Sequence, residues 1–249
     1  MSIALAFKND RFKLKKLKLP ARYYHFNASE NYIKLLCIGE GIFPKDKITV
    51  QIDLEHSSSI FSTESATKVY PSTKEYSINA ITISLKNSNC EFLNDELILY
   101  KNSKLIQFLK IRSDSNSTFF YSDILSSGRS FENFDFTSMR IRNRFFIDGK
   151  LEYYENFDIS GDGIKEYLQR NHAKKLIFAK IYMKTGDNGD FLDTLSAQGL
   201  RSFSYTRNKQ MIIGVLSAEN MYVIKNKINR IWHLYRNKLD KKPFNLGKQ

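Results

Sequence analysis

The sequence predicts a mainly β chain, an array of many short antiparallel strands with its helices in the last third. Two observations predict it. Apolar and polar residues alternate with period two through most of residues 1–172, and no segment there longer than two turns shows helical spacing. After residue 187 the spacing changes, and two stretches repeat their apolar residues every three to four positions. The expected organisation is therefore a β-rich body over 1–172. Strands and two helices over 173–249 pack on that same body as one domain. At 249 residues, with 42% hydrophobic and 26% charged residues, the chain is long enough to bury a substantial core.

Taken in order, the clearest strand is Lys47-ITVQIDLE. Ile48, Val50, Ile52 and Leu54 fall on one face, and Thr49, Gln51, Asp53 and Glu55 on the other. Ile81, Ile83 and Leu85 repeat the pattern, as do Leu105, Leu109 and Ile111. Met139, Ile141, Phe145 and Ile147 share a face opposite Arg140, Arg142 and Arg144, and Asp148-Gly149 suits a tight hairpin turn. Leu176–Met183 reads as a strand, and Asn188 onward as a short helix stopped by Gly199. Strands are expected near 200–205 and 210–216. Ser217 then caps a long helix whose stripe is Met221, Ile224, Ile228, Ile231, Trp232, Tyr235 and Leu239. No internal repeat stands out.

Composition excludes several classes. No apolar run is long enough to span a membrane. The apolar patch of MSIALAFKNDRFKLKK precedes its basic run, the reverse of a secretory signal, so a cytoplasmic chain is expected. Cys37 and Cys90 stand far apart, which excludes a disulfide framework and a Cys-x-x-Cys zinc site and suggests two buried thiols. His25, His56, His172 and His233 are isolated. No nucleophile elbow, phosphate loop or dinucleotide fingerprint occurs. The start of a calcium loop at Asp158–Gly163 fails at its twelfth position, Gln169, and reads as a Gly/Asp-rich turn. A net charge of +13 leaves a basic nucleic-acid-binding module as one alternative, resting on the arginine strand and the basic last helix.

Two carboxylates lie on the wrong faces. Glu155 alternates with Leu151, Tyr153, Phe157 and Ile159, and Asp123 with Phe119, Tyr121 and Leu125. A buried carboxylate must be paired, hydrogen-bonded or ligating. An arginine partner, a polar interior path and an acid–base pair of a hydrolase all satisfy that requirement.

The run Thr63-ESATKVY resembles the signature of the urease accessory protein UreD/UreH family. Leu93-NDELILYKNSKL, Asp123-ILSSGR, Arg140-IRNRFFIDGKLEYYE and the closing helix with Trp232 and Arg236 are similar to further family segments, in the same order. The resemblance spans roughly residues 30 to 240. It implies an irregular β-helix-like array and a nickel-insertion chaperone rather than an enzyme. The implied partners are a UreF-type accessory protein, a UreG-type GTPase reached through it, and apo-urease, with no nucleic acid and no membrane. It also implies no permanently bound cofactor, only nickel in transit through an internal polar tunnel. Carried over position by position, the path's acidic residues are Asp46, Asp123 and Glu155, with Lys68 and Glu96 lining it or supporting it. Phe43-PKDKI departs from the family's Gly-Gly-Asp run around Asp46, and Gly128-RSFENF and Asn245-LGKQ also depart from its pattern.

Overall fold

In a computed structural model, all residues are described except 28, 38–40, 130, 174–175 and 248–249, and the side chain of Cys37 also lies outside the described set. Two sheets face each other. The first has seven strands in the order β13 (Lys150–Ile159), β12 (Ser138–Ile147), β10 (Lys104–Ser113), β8 (Ser77–Lys86), β5 (Lys47–Glu55), β1 (Ser2–Lys8) and β2 (Arg11–Lys18). The second runs β15 (Phe203–Tyr205), β16 (Ile212–Ala218), β14 (Ile177–Lys184), β11 (Thr118–Ser126), β9 (Asn89–Leu99), β6 (Ser58–Thr63), β4 (Asn31–Cys37) and β3 (Ala21–Asn27), with β7 (Thr67–Val69) pairing separately on β9.

The expected antiparallel order is corrected. β1, β5, β8, β10 and β12 are parallel neighbours, and so are β4, β6, β9 and β11. From β4 to β12 the chain returns along the opposite sheet, so a strand does the work that a crossover helix does in a βαβ unit. The result is a two-layer, β-helix-like stack of coils. Antiparallel pairing is kept for the hairpins β1–β2, β3–β4 and β12–β13 and for β14 to β16.

The coils have a repeat after all, at their corners. Ser88 Oγ accepts from Ser57 N at 3.1 Å, and Ser117 Oγ accepts from Ser88 N at 3.1 Å, across separations of 31 and 29 residues. These hydroxyls satisfy backbone donors that turn away from the sheets. His56 and Asn87, the residues before the first two serines, take positive φ to make the corner.

Among the described residues three helices form rather than two. α1 (Gly161–Arg170) occupies the stretch expected to be a turn. Ser160 Oγ accepts from Gly163 N at 3.0 Å and caps it, while Ile164 and Leu168 are buried. α2 (Asn188–Ala197) and α3 (Met221–Lys238) match the expected spans, but Asn220 caps α3, because Ser217 is still in β16. The buried stripe of α3, Ile224, Ile228, Ile231, Trp232 and Tyr235, covers the outer face of the second sheet. Strands beneath it are buried on both faces, which is why Phe119, Phe120 and Tyr121 are aromatic in succession and all buried.

Candidate functional site

Between the sheets the apolar core is interrupted by one polar layer. It is built from inward positions of six strands. The pairing of β9 and β11 slips at Asp123, so that Asn94 and Asp95 together face that one residue. Such a bulge bends the strand and re-aims its side chains. Asp123 Oδ1 accepts from Asn94 Nδ2 at 2.8 Å and from the Tyr121 hydroxyl at 2.9 Å, and Oδ2 accepts from Gln107 Nε2 at 2.7 Å.

Glu155 is 7% exposed and has five donor contacts. Tyr153 OH and Lys180 Nζ donate to Oε1, each at 3.0 Å. Asn143 Nδ2, Tyr182 OH and Lys180 Nζ donate to Oε2 at 2.9, 2.7 and 3.1 Å. Lys180 joins the two carboxylates, because it is also the cross-strand partner of Asp123.

The protonation of this layer follows from its burial. Loss of water pushes the Asp123 carboxyl up to about 6, against the pull of its three hydrogen-bond donors and of Lys180. Burial, and then the adjacent carboxylates, hold the Tyr121 and Tyr182 hydroxyls well above the ordinary tyrosine range. Both tyrosines therefore stay protonated and donate.

A cavity of about 360 Å³ opens along this layer. Asn94, Gln107, Asp123, Asn143 and Lys180 are among the residues of its polar wall, with Thr67, Asn79 and Asp95, and Met139, Ile141, Ile164 and Phe178 are among those of its apolar wall. Gln107 Oε1 and Asn143 Oδ1 are buried with no hydrogen-bond partner. Together with Asp123 they offer hard oxygen atoms of the kind that hold a hydrated cation weakly. Among the described residues no three His, Cys, Asp or Glu side chains converge on one point. The donors on Glu155 occupy both of its oxygens, an arrangement that leaves it poorly placed as a general base.

The other sequence-predicted positions lie elsewhere. Asp46 is exposed in the turn before β5; its Oδ2 accepts from Phe43 N at 3.1 Å, and it is not part of the cavity wall. Lys68 is half-buried in β7 opposite Ile98, and its neighbour Thr67 reaches the cavity. Glu96 is half-buried in β9 and pairs with Lys225 of α3 at 2.9 Å, beside Asp95. The structure thus brings Asp123 and Glu155 together and leaves Asp46 apart from them.

The sequence matches the family described as "UreD urease accessory protein" over residues 17–246. It is 58% identical, over all of both chains, to the urease accessory protein UreD of Aliarcobacter butzleri (strain RM4018). The chain belongs to the UreD family of urease accessory proteins. A general role in urease maturation follows. More distant relatives of the same name are 26% identical in Staphylococcus saprophyticus, covering 89% of this chain and 88% of that one, and 32% identical in Staphylococcus epidermidis, covering 50% and 46%.

Within this UreD-family chain, alternation alone pointed to Asp123 and Glu155 but passed over Gln107, Asn143 and Lys180. The signal for the first two was present. Period two puts Gln107 between Leu105 and Leu109, and Asn143 between Ile141 and Phe145, on the buried face. In β13 the extra residue Glu152, opposite the step from Phe145 to Phe146, breaks the alternation. Leu151 is consequently exposed, not buried as the pattern predicts, and Phe157, still in register with the buried Ile141, is exposed on what is the edge strand of the sheet. The arginine strand is engaged within the chain. Arg142 pairs with Asp158 at 2.9 Å, Arg140 stacks 4.4 Å over Tyr76, and Arg144 lies 5.4 Å over Tyr154.

A second buried cluster anchors α3. Glu91 and Arg236 are both 0% exposed and pair at 2.6 Å. Glu91 also accepts from Trp232 Nε1 and Lys241 Nζ, each at 2.7 Å, and Arg236 donates to Glu30 and to the Lys242 carbonyl.

Proposed function

We propose that this UreD-family chain is a cytoplasmic scaffold in urease maturation that joins a UreF-type accessory protein, and through it a UreG-type GTPase, to apo-urease. Nickel passes between the two sheets to the urease active site and is cargo, not a resident cofactor. Asp123 and Glu155 carry the path, Lys180 and the amides of Asn94, Gln107 and Asn143 orient them, and Lys68 and Glu96 support its rim. Asp46 stands outside this path.

The observation that supports this reading is the polar layer itself. A structural ion pair needs one cation for one carboxylate, whereas here Lys180 bonds Glu155 behind the cavity wall and lies opposite Asp123, and Asp123, Lys180 and the amides of Asn94, Gln107 and Asn143 line a cavity with two unpartnered amide oxygens. A conduit needs weak, exchangeable oxygen contacts, because the ion must leave as well as enter; His or Cys sites hold nickel far more tightly.

The test of the maturation role is urease activity in cells carrying the urease subunits, the other accessory genes and added nickel, with and without this chain. Activity is expected only with the chain, and the UreF-type partner is expected to co-purify with it. Equal activity in both would remove the proposal.

A further inference from the structure

We propose that the outer edge of β2 is a docking edge for an acidic, extended segment of another protein, which pairs with it as an added strand. β2 ends the seven-stranded sheet, and among the described residues no strand pairs with its outer side. Its two faces are sorted by a bulge. The pairing with β1 slips between Ala4 and Leu5, leaving Lys15 as the extra residue. Phe12, Leu14 and Leu17 thereby lie opposite Phe7, Leu5 and Ile3, all buried, and so point toward the space between the sheets.

That apolar row is unfinished. Leu14 is 37% and Leu17 42% exposed, and Leu19 beyond them is 69% exposed. An edge that is only guarded against aggregation carries lysines and stops its apolar row short. This edge carries lysines and continues the row into solvent.

The opposite face is strongly basic. Lys13, Lys16 and Lys18 pair with Ala6, Ala4 and Ser2, and Arg11 with Lys8. Lys15 bonds Asp53 at 2.9 Å and Lys8 bonds Glu55 at 3.2 Å. No carboxylate among the described residues lies within ion-pair distance of Arg11, Lys13, Lys16 or Lys18. Four like charges within eight residues repel one another in the free chain. A strand bearing acids on one face and apolar residues on the other would relieve that repulsion, pair the open backbone groups and cover Leu14 and Leu17 together.

The probe is a labelled eight-residue peptide alternating glutamate and valine, titrated against the full chain by fluorescence anisotropy. Amide hydrogen exchange of residues 11–18 is followed in the same samples. The expected results are at least tenfold tighter binding than a lysine–valine peptide, and at least tenfold slower exchange of β2 amides at saturation. Binding is expected to be lost when alternate backbone nitrogens of the peptide are methylated. The variant K13E/K16E/K18E, shown folded by an unchanged urea midpoint, is expected to bind the peptide at least tenfold more weakly. No binding, equal binding of the methylated peptide, or unchanged exchange over 11–18 would overturn the proposal. The comparisons among peptides use the wild-type chain and stand even where the variant does not fold.

Discussion

Replacing Asp123 by asparagine keeps its shape and removes its charge. The Asp123 carboxyl is raised from an ordinary 3.8 to about 6, with burial as the largest cause. A carboxyl raised on folding costs stability once it ionises. Below about pH 3 it is neutral in both states and costs nothing. The cost grows from about pH 3 to 6, where the unfolded chain ionises more freely than the folded one, and is complete above pH 6. A shift of about two pH units corresponds to about 3 kcal/mol. Asparagine keeps Oδ1 for Asn94 and Tyr121, and its amide meets Gln107, whose free Oε1 accepts it once that side chain flips. D123N is therefore expected to be more stable than the wild type at pH 8 by up to about 3 kcal/mol, or about 1 M in urea midpoint. At pH 3 the two should match. Comparing the two proteins at each pH cancels the titration of other groups. A D123N protein less stable than the wild type by the same amount at every pH would refute the burial argument.

Other substitutions probe the buried ion pairs, the start of α1 and the coil corners. Arg236→Ala strips the fully buried Glu91 of its guanidinium and is expected to destabilise by about 3–5 kcal/mol, seen as a lowered urea midpoint or loss of soluble chain. Lys180→Met leaves Glu155 with neutral donors only; with Lys180 a quarter exposed, the expected loss is smaller, about 1–3 kcal/mol by the same measurement. Gly161→Ala places a methyl group against the Phe134 carbonyl oxygen at the start of α1 and is expected to cost about 3 kcal/mol or more. Ser88→Ala removes the hydroxyl that accepts from Ser57 N at a coil corner, with an expected cost of about 1–2 kcal/mol.

Much of the fold was legible where one face of a strand is buried and the other wet. Ile48 to Leu54 alternate in the sequence and in burial alike. Strand direction was not legible, because a half-buried strand alternates identically beside a parallel or an antiparallel neighbour. The corner serines 57, 88 and 117 were the readable mark of a coil, but they form a repeat of single residues. α1 was hidden by Gly161 and Gly163, poor helix formers that the Ser160 cap and the burial of Ile164 and Leu168 outweigh. At the site, Asp123 and Glu155 were visible as charges on apolar faces. The same test applied to Gln107 and Asn143 finds two more residues of the wall. Lys180 was harder to see, because β14 is apolar on both faces around it. Asp46 came only from the family pattern, in a stretch where the chain departs from that pattern, and the fold puts it in a surface turn.

Passage of nickel across this chain by way of the inter-sheet carboxylates is read out with D123N/E155Q. The variant is assembled with the UreF-type and UreG-type partners and apo-urease, supplied with nickel and GTP, and compared with wild type for complex formation and urease activity. An intact complex with activation lowered at least tenfold is expected. An intact complex that activates urease as well as the wild type would contradict passage by that route.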